Sequence, residues 1–302
     1  MNTVSIPYLK RVFYFQWPST WDEIPAKTLK ALLPTIKQVQ AAFLIYQEAQ
    51  DKEPADHMLQ ELRIKMLWKL LDLRWYHWLK KRAFLSLYAD ELSDILNTTD
   101  FLIERPNRNA PPFAQIKVGR HTLISPGHAL QNLSAEEFHF LGLHLKKLSD
   151  LEKESISQKA RILKKVALQN EIVYALYRPR GKKPNYQPKH EEYNGDERIR
   201  FNRHNWEVKS RIVANVPPWK KELIIWWYSQ MLLRIQDAHP LIFSKKAEGK
   251  ANRYGWLPVF RQLAKNPLQT EKIGSLKLSY LLYELNQLLE ESDRLKSRYA
   301  KS

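Results

Sequence analysis

The stretch Ser134-Ala-Glu-Glu-Phe-His-Phe-Leu-Gly-Leu-His-Leu-Lys-Lys-Leu148 has the pattern of a capped helix. Ser134 can accept a hydrogen bond from the first turn, and Glu137, three residues later, can return one to the cap. Apolar residues at helical spacing recur along most of the chain. This periodicity predicts a mainly helical protein.

Further helices are predicted on both sides of this one. The first of them contains Pro34, which is expected to break or kink it. The last has leucines spaced along one face, as in an amphipathic helix. The predicted segments are residues 25–43, 54–81, 162–176, 217–239, 252–264 and 276–299.

A change of pattern between residues 100 and 133 predicts a domain boundary. Prolines cluster there, and residues 113–125 form the one persuasive strand signal, a hairpin turning at Gly119 and Arg120. The predicted fold class is mainly α, with helical bundle-like domains and a small β-hairpin insert. The predicted domains are an N-terminal helical domain at 1–99, a β-hairpin and Pro-rich connector at 100–133, and a C-terminal helical domain at 134–302 with a basic loop at 178–216.

Composition narrows the class of protein. The chain has 302 residues, 44% of them hydrophobic, a formal charge of +17 and no Cys. The apolar content excludes a disordered chain, and the lack of Cys excludes disulfides, thiolate metal sites and cysteine nucleophiles. The N-terminus does not resemble a secretion signal, and the longest apolar run, 223–228, is too short to cross a membrane. We therefore expect a soluble, cytoplasmic protein with no membrane partner.

The usual catalytic motifs are absent from the sequence. Neither a phosphate-binding glycine loop nor a G-x-S-x-G motif is present. His139 and His144 are five residues apart and do not share a helical face as metal ligands would, so surface or capping roles are expected. Asp196 with Glu207-Val208-Lys209 matches the loose spacing of a metal-dependent nuclease, but its flanks do not alternate as strands should. We predict no catalytic, cofactor-binding or metal-binding residues and keep the nuclease as a weaker alternative.

The densest positive charge lies in residues 178–221, with twelve Lys or Arg against five Asp or Glu. Aromatic residues are interleaved with the cations. Guanidinium groups pair with phosphates and aromatic rings stack on unpaired bases, so the segment is a candidate nucleic-acid site. A solvated loop that docks on an acidic protein remains the alternative. The candidate phosphate- or partner-binding residues are Arg178, Arg180, Lys182, Lys183, Arg198, Arg200, Arg203 and Trp206.

Several short segments along the chain form a recognisable arrangement. They are Trp17-Pro-Ser-Thr-Trp-Asp-Glu-Ile24, Leu123-Ile-Ser-Pro-Gly-His-Ala-Leu-Gln-Asn-Leu-Ser-Ala-Glu-Glu-Phe138, Asn170-Glu-Ile-Val-Tyr-Ala-Leu-Tyr-Arg-Pro179, Gly195-Asp-Glu-Arg198 with Phe201, Trp227-Tyr228, His239-Pro-Leu-Ile-Phe243 and Tyr254-Gly-Trp-Leu-Pro-Val-Phe-Arg-Gln-Leu-Ala264. Together these segments resemble a family of proteins encoded in the tail gene modules of bacteriophages and prophages. The family has no established catalytic residues, and the resemblance implies a tail assembly factor or a minor structural component.

The resemblance implies partners among tail or other virion-like proteins, including a long helical tape-measure protein. The resemblance also implies that this protein acts in the host cytoplasm during assembly or in a virion-like particle. A groove between amphipathic helices could hold it, although the same residues can equally pack within the chain. The candidate groove residues are Trp226, Trp227, Leu281, Leu285 and Leu288. The leading hypothesis is a non-enzymatic tail-module protein that works by protein–protein contact, with nucleic-acid binding as the alternative.

Overall fold

The computed structural model describes residues 1–48, 53–72, 77–102, 106–243, 256–264 and 267–299. The chain divides into two compact units, residues 1–108 and 109–302. Both are mainly helical and each contains a small antiparallel sheet, which confirms the predicted fold class. The boundary therefore falls between the two predicted ones at 99 and 133, and the hairpin region belongs to the second unit rather than to a connector.

The first unit begins with a β-hairpin that the sequence pattern does not predict. Strands β1 (Asn2–Tyr8) and β2 (Arg11–Trp17) pair antiparallel, with Val4 opposite Phe15. The turn residues Leu9 and Lys10 have φ of 48° and 60°. Such a turn is normally recognised by Asn or Gly at these positions. Neither is present here, so the sequence carries no turn signal.

Among the described residues of the first unit, four α-helices follow the hairpin, and the first two of them pack against each other. Leu32 and Ile36 of the first helix are buried, as are Leu62 and Met66 of the second. The first helix continues through Pro34, so the expected break does not occur. The predicted helix 54–81 is divided, and residues 73–76 lie outside the described part. The bounds are α1 (Ala26–Glu48), α2 (Glu53–Leu71), α3 (Trp78–Leu85) and α4 (Ala89–Asn97).

The second unit opens with the predicted hairpin. Strands β3 (Gln115–Val118) and β4 (His121–Ile124) pair antiparallel, and Gly119 adopts a φ of 56° in the turn. A third short strand, β5 (Arg178–Pro179), adds to β4. The basic segment predicted as a loop at 178–216 therefore starts in a sheet, and it also contains the short helix α7 (Trp206–Ser210).

Apart from the loop around residues 180–205, helices make up most of the rest of the described part of the second unit. Its core contains buried side chains from three of them, including Leu141, Val173, Leu223 and Trp227. A smaller cluster joins Ala135, Phe260 and Leu281. The bounds are α5 (Ala135–Asp150), α6 (Gln158–Leu176), α8 (Pro218–Ala238), α9 (Pro240–Phe243), α10 (Leu257–Leu263), α11 (Pro267–Ser275) and α12 (Leu278–Tyr299).

Candidate functional site

The cap of helix α5 forms as predicted. The Glu137 amide donates to the Ser134 hydroxyl at 3.3 Å, and the Ser134 amide donates to the Glu137 carboxylate at 2.8 Å. Unlike an ordinary capping carboxylate, the Glu137 side chain is only 2% exposed. A buried carboxylate requires a compensating positive charge. The basic segment that begins at β5 supplies it.

Arg178 and Arg198 converge on Glu137 in the interior of the second unit. Arg178 Nη1 contacts Glu137 Oε1, and its Nε donates to the Ile199 carbonyl at 2.7 Å. Arg198 Nη2 lies 3.5 Å from Glu137 Oε2. Arg198 also donates from Nε to both oxygens of Asp196, at 2.9 and 3.1 Å. Two arginines and two carboxylates thus form one neutral cluster, which we call the buried charge cluster.

The electrostatics of the cluster reflect its burial. Desolvation lowers the pKa of Arg178 well below its usual range, and the nearby Arg198 charge lowers it further, while Asp196 opposes both. Arg198 is 1% exposed, and its Nη1 donates to the Leu176 carbonyl at 2.8 Å. All these donors face protein acceptors. The prediction that Arg178 and Arg198 contact an external phosphate or partner is therefore wrong, because both are committed inside the protein.

The remaining predicted cations lie at the surface. Arg180 pairs with Glu197 at 2.7 Å with 61% of its side chain exposed, and Arg203 lies 3.7 Å from Glu136. Lys182, Lys183 and Arg200 are also exposed. These five residues can still meet an anionic partner.

Trp206 does not offer a stacking surface to bases. It is 9% exposed, and its ring packs edge-on against Phe140 with centroids 4.3 Å apart and against His144 at 4.9 Å. Phe201, another aromatic residue of the segment, is buried against Phe140 as well. The two rings complete the core, so the predicted partner-binding role of Trp206 is wrong.

A polar cavity of about 350 Å³ lies beside the buried charge cluster. Its walls come from the start of α5, the loop around residues 185–200 and the α11–α12 junction. Acidic and basic side chains balance each other around it, and the buried Asn185 Oδ1 has no hydrogen-bond partner among the described residues. Its other charged and polar lining residues include Glu136, Glu192, Arg200 and Lys277.

The nuclease arrangement does not form. Asp196 is bound by Arg198 and, at 3.5 Å, by Arg178, while Glu207 and Lys209 lie in the short helix α7 and not on a strand. Within the part of the chain that the structure describes, no three His, Asp or Glu side chains are grouped so that they could hold a metal ion.

His144 and Glu171 form a second buried polar contact, which the sequence pattern does not reveal. Their Nε2 and Oε2 atoms lie 3.5 Å apart, and His144 Nδ1 lies 2.8 Å from the Phe140 carbonyl. Burial lowers the pKa of His144 to about 4 and raises the pKa of Glu171 to about 7. His144 is 5% exposed, so the expected surface or capping role is wrong.

Three of the five residues of the predicted groove between the Trp-rich helix and the last helix are buried inside the protein. Trp226, Trp227 and Leu281 are 7%, 0% and 2% exposed, which makes them part of the interior. Leu285 is half-buried and Leu288 is 50% exposed. Only these last two groove residues remain accessible to a partner.

Exposed apolar side chains mark a different surface, on the first half of α6. Ile162, Leu163 and Val166 are 54%, 63% and 44% exposed, and they lie on one side of the helix because of their spacing. Lys159 and Lys165 border these apolar residues on the helix surface, and we call these five residues the α6 face. The second half of α6, from Ile172 onward, is buried in the core. The two halves thus differ in whether their apolar residues are covered.

Comparison with models of protein families, with curated proteins and with solved structures finds no match to the chain. None of the helices in the described ranges has the length and apolar character that crossing a membrane requires.

Proposed function

We propose that the chain is a non-enzymatic component of a phage-like tail module that works by protein–protein contact through the α6 face. The observation that carries the proposal is the exposure of Ile162, Leu163 and Val166. Exposed apolar patches bounded by polar residues mark interaction surfaces. The resemblance to tail-module proteins supplies the biological setting.

The α6 face fits a helical partner with acidic flanks. Val166 follows Ile162 by four residues and Leu163 by three, and these are spacings that helix-in-groove contacts use for their anchors. Positively charged flanks select partners of opposite charge and steer their approach. A long helical protein of the tail module, with carboxylates beside an apolar stripe, meets both requirements.

The test is co-expression with the tail proteins of the same module, followed by size exclusion. We expect a stable complex with the long helical protein, and we expect Leu163→Glu to abolish it by placing a charge against the partner's apolar stripe. Val208→Glu is the matched control, since Val208 and Leu163 are both 63% exposed. A complex that survives Leu163→Glu would refute the proposal.

Nucleic-acid binding is the second candidate, and the exposed cations of the basic segment favour it. Arg180, Lys182, Lys183, Arg200 and Arg203 are accessible, whereas the rings of Phe201 and Trp206 are buried. Binding would therefore use phosphates alone and would weaken steeply with salt. A gel-shift assay with random DNA and RNA at low and high salt tests this. Lack of a shift at low salt would dispose of the candidate.

A further inference from the structure

The α6 face carries a concentrated positive charge together with its apolar residues. Residues 159–167 contain Lys159, Arg161, Lys164 and Lys165 and no acidic residue. Lys164 and Lys165 contact Glu154 at 2.7 Å and Glu152 at 3.9 Å, yet both lysines keep about half of their side-chain surface exposed, at 54% and 48%. An occupant of this face must therefore offer both an apolar stripe and carboxylates.

Helix α12 also combines exposed apolar residues with charged ones, but the charges within residues 284–293 are negative. Its stripe of leucines is covered at the start of the helix, where Leu281 and Leu282 are 2% exposed, and uncovered further on, where Leu288 and Leu289 are 50% and 37% exposed. Acidic residues border the uncovered part. They are Glu284, Glu290, Glu291 and Asp293, and no basic residue falls within 284–293.

The geometry of a helix places some of these carboxylates beside the leucine stripe. Glu284 and Glu291 are seven residues apart, which is two turns, so they lie along one edge of it. Glu290 lies on the opposite side, where its Oε1 accepts from Asn286 Nδ2 at 2.9 Å. Glu284 and Glu291 are exposed and are therefore available to cations of another chain.

The two surfaces match in length, charge and apolar content. Residues 159–167 and 284–293 each span about 15 Å of helix. Each offers three apolar side chains, and Lys159 and Lys165 lie beside those of α6 as Glu284 and Glu291 lie beside those of α12. In a single chain both surfaces stay exposed, because α12 packs on α5 and α9.

We infer that the occupant of the α6 face is residues 284–293 of a second copy of this chain. The inference rests on the proposed function only in taking the α6 face as a protein-contact surface, for which a tail protein with the same acidic and apolar pattern would compete with the second copy. The two contacting patches are different. The contact is therefore made twice in a two-fold dimer, or it is head-to-tail and builds a ring or an open chain of copies.

The first experiment measures the mass of the full chain by light scattering after size exclusion, over a range of concentrations. We expect an oligomer at low salt and a shift towards monomer at high salt, because exposed charge pairs are screened. Leu163→Glu and Leu288→Lys should each weaken association by at least about tenfold, since a charge would meet an apolar stripe. Val208→Glu should leave the mass unchanged. A chain that is monomeric at every concentration, or an oligomer that survives Leu288→Lys, would overturn the inference.

Charge reversal gives a sharper test. The variant Lys159→Glu/Lys165→Glu makes the charges beside the apolar residues of the α6 face acidic, like those beside the leucine stripe of α12. The variant Glu284→Lys/Glu291→Lys makes the charges beside the leucine stripe basic, like those of the α6 face. Each alone should be monomeric, and an equimolar mixture should recover the oligomer, because each basic surface again meets an acidic one. Unchanged circular dichroism shows that both variants are folded. Failure of the mixture to associate contradicts the inference.

The two proposals fail in different ways. If the chain is monomeric alone but binds the long helical tail protein in a manner sensitive to Leu163→Glu, the proposed function stands and the second copy is excluded as the occupant. If the chain oligomerises as described but binds no tail protein, the inference stands and the tail-module partner is wrong.

Discussion

The buried charge cluster shows how a single residue can have a role that its sequence context does not announce. The Ser134 and Glu137 pattern predicts a helix cap, and the cap is present. The same carboxylate also holds two arginines from a segment more than 40 residues away in sequence. The pairing of β5 with β4 and the packing of α6 on α5 bring Arg178 to this carboxylate, and a bridge between Arg180 and Arg198 brings Arg198. Such long-range pairing leaves no local signal, so the arginines resemble exposed cations in the sequence.

Replacing the carboxylate should therefore destabilise the protein strongly. Glu137→Gln keeps the shape of the cap but leaves Arg178 and Arg198 with the Asp196 carboxylate as their remaining acidic partner in the cluster. Removing one partner from a buried ion cluster costs about 3 kcal/mol or more. Urea unfolding measures the loss. Glu197→Gln, which breaks the exposed pair with Arg180, should cost less than about 1 kcal/mol.

The raised pKa of Glu171 predicts how the stability of the folded protein depends on pH. Burial raises its pKa to about 7, and Glu207 adds to the effect while Lys147 opposes it. The folded-state pKa lies above the unfolded value, so the stabilisation from the protonated form is complete below the unfolded pKa and is lost as pH rises through about 7. His144 has the opposite sign. Its pKa is lowered to about 4, so its contribution is present above its unfolded pKa and is lost as the pH falls through about 4.

Thermal melts test this assignment. Between pH about 4.5 and about 7 the melting temperature of the native chain should fall relative to that of Glu171→Gln, because over this range the folded chain keeps a proton on Glu171 that the unfolded chain has lost. The neutral carboxyl can donate to His144 Nε2, and the amide of Gln can do the same. A variant that retains the full pH dependence would show that another group is responsible.

Whether a helix or strand is predicted correctly from the sequence depends on whether it carries a local signal. The β3–β4 hairpin has Gly119 at its turn, and α8 and α12 begin and end close to their predicted limits. The β1–β2 hairpin turns at Leu9 and Lys10 without such a residue. The start of a helix can be recognised from its capping residues. Which half of α6 or α12 is buried, however, depends on the packing of elements that are distant in sequence.

In the loop beside the polar cavity, Gly181 packs closely against the ring of Tyr186. A Cβ added to Gly181 would lie 2.1 Å from the ring of Tyr186, so the ring must move. The Tyr186 hydroxyl accepts from the Arg200 amide at 3.2 Å, and this bond would be lost. We expect Gly181→Ala to destabilise the protein by about 1 kcal/mol and to speed proteolysis at residues 182–200. Gly142→Ala in α5 has open space and should instead stabilise by about 0.5 kcal/mol.

The whole chain carries a formal charge of +17. Added salt should therefore affect the stability of the folded chain and the proposed self-contact in opposite directions. Excess like charge repels itself within a compact fold, so added salt should stabilise the folded chain. The contact between the α6 face and residues 284–293 joins opposite charges, so the same salt should weaken it. The electrostatic screening length falls from about 30 Å at 0.01 M salt to about 8 Å at 0.15 M. Both effects should therefore be measurable within this range of salt concentration.

Salt therefore separates folding from association in one pair of measurements. In the monomeric Leu288→Lys variant, we expect the urea midpoint to rise with salt, because only intramolecular repulsion is being screened. In the native chain, the oligomer fraction should fall over the same range. If both quantities move in the same direction, the association is driven by the apolar stripes and the charges beside them do not select the partner. If the variant's midpoint is unaffected, the positive charge is already balanced locally by pairs such as Arg180 with Glu197.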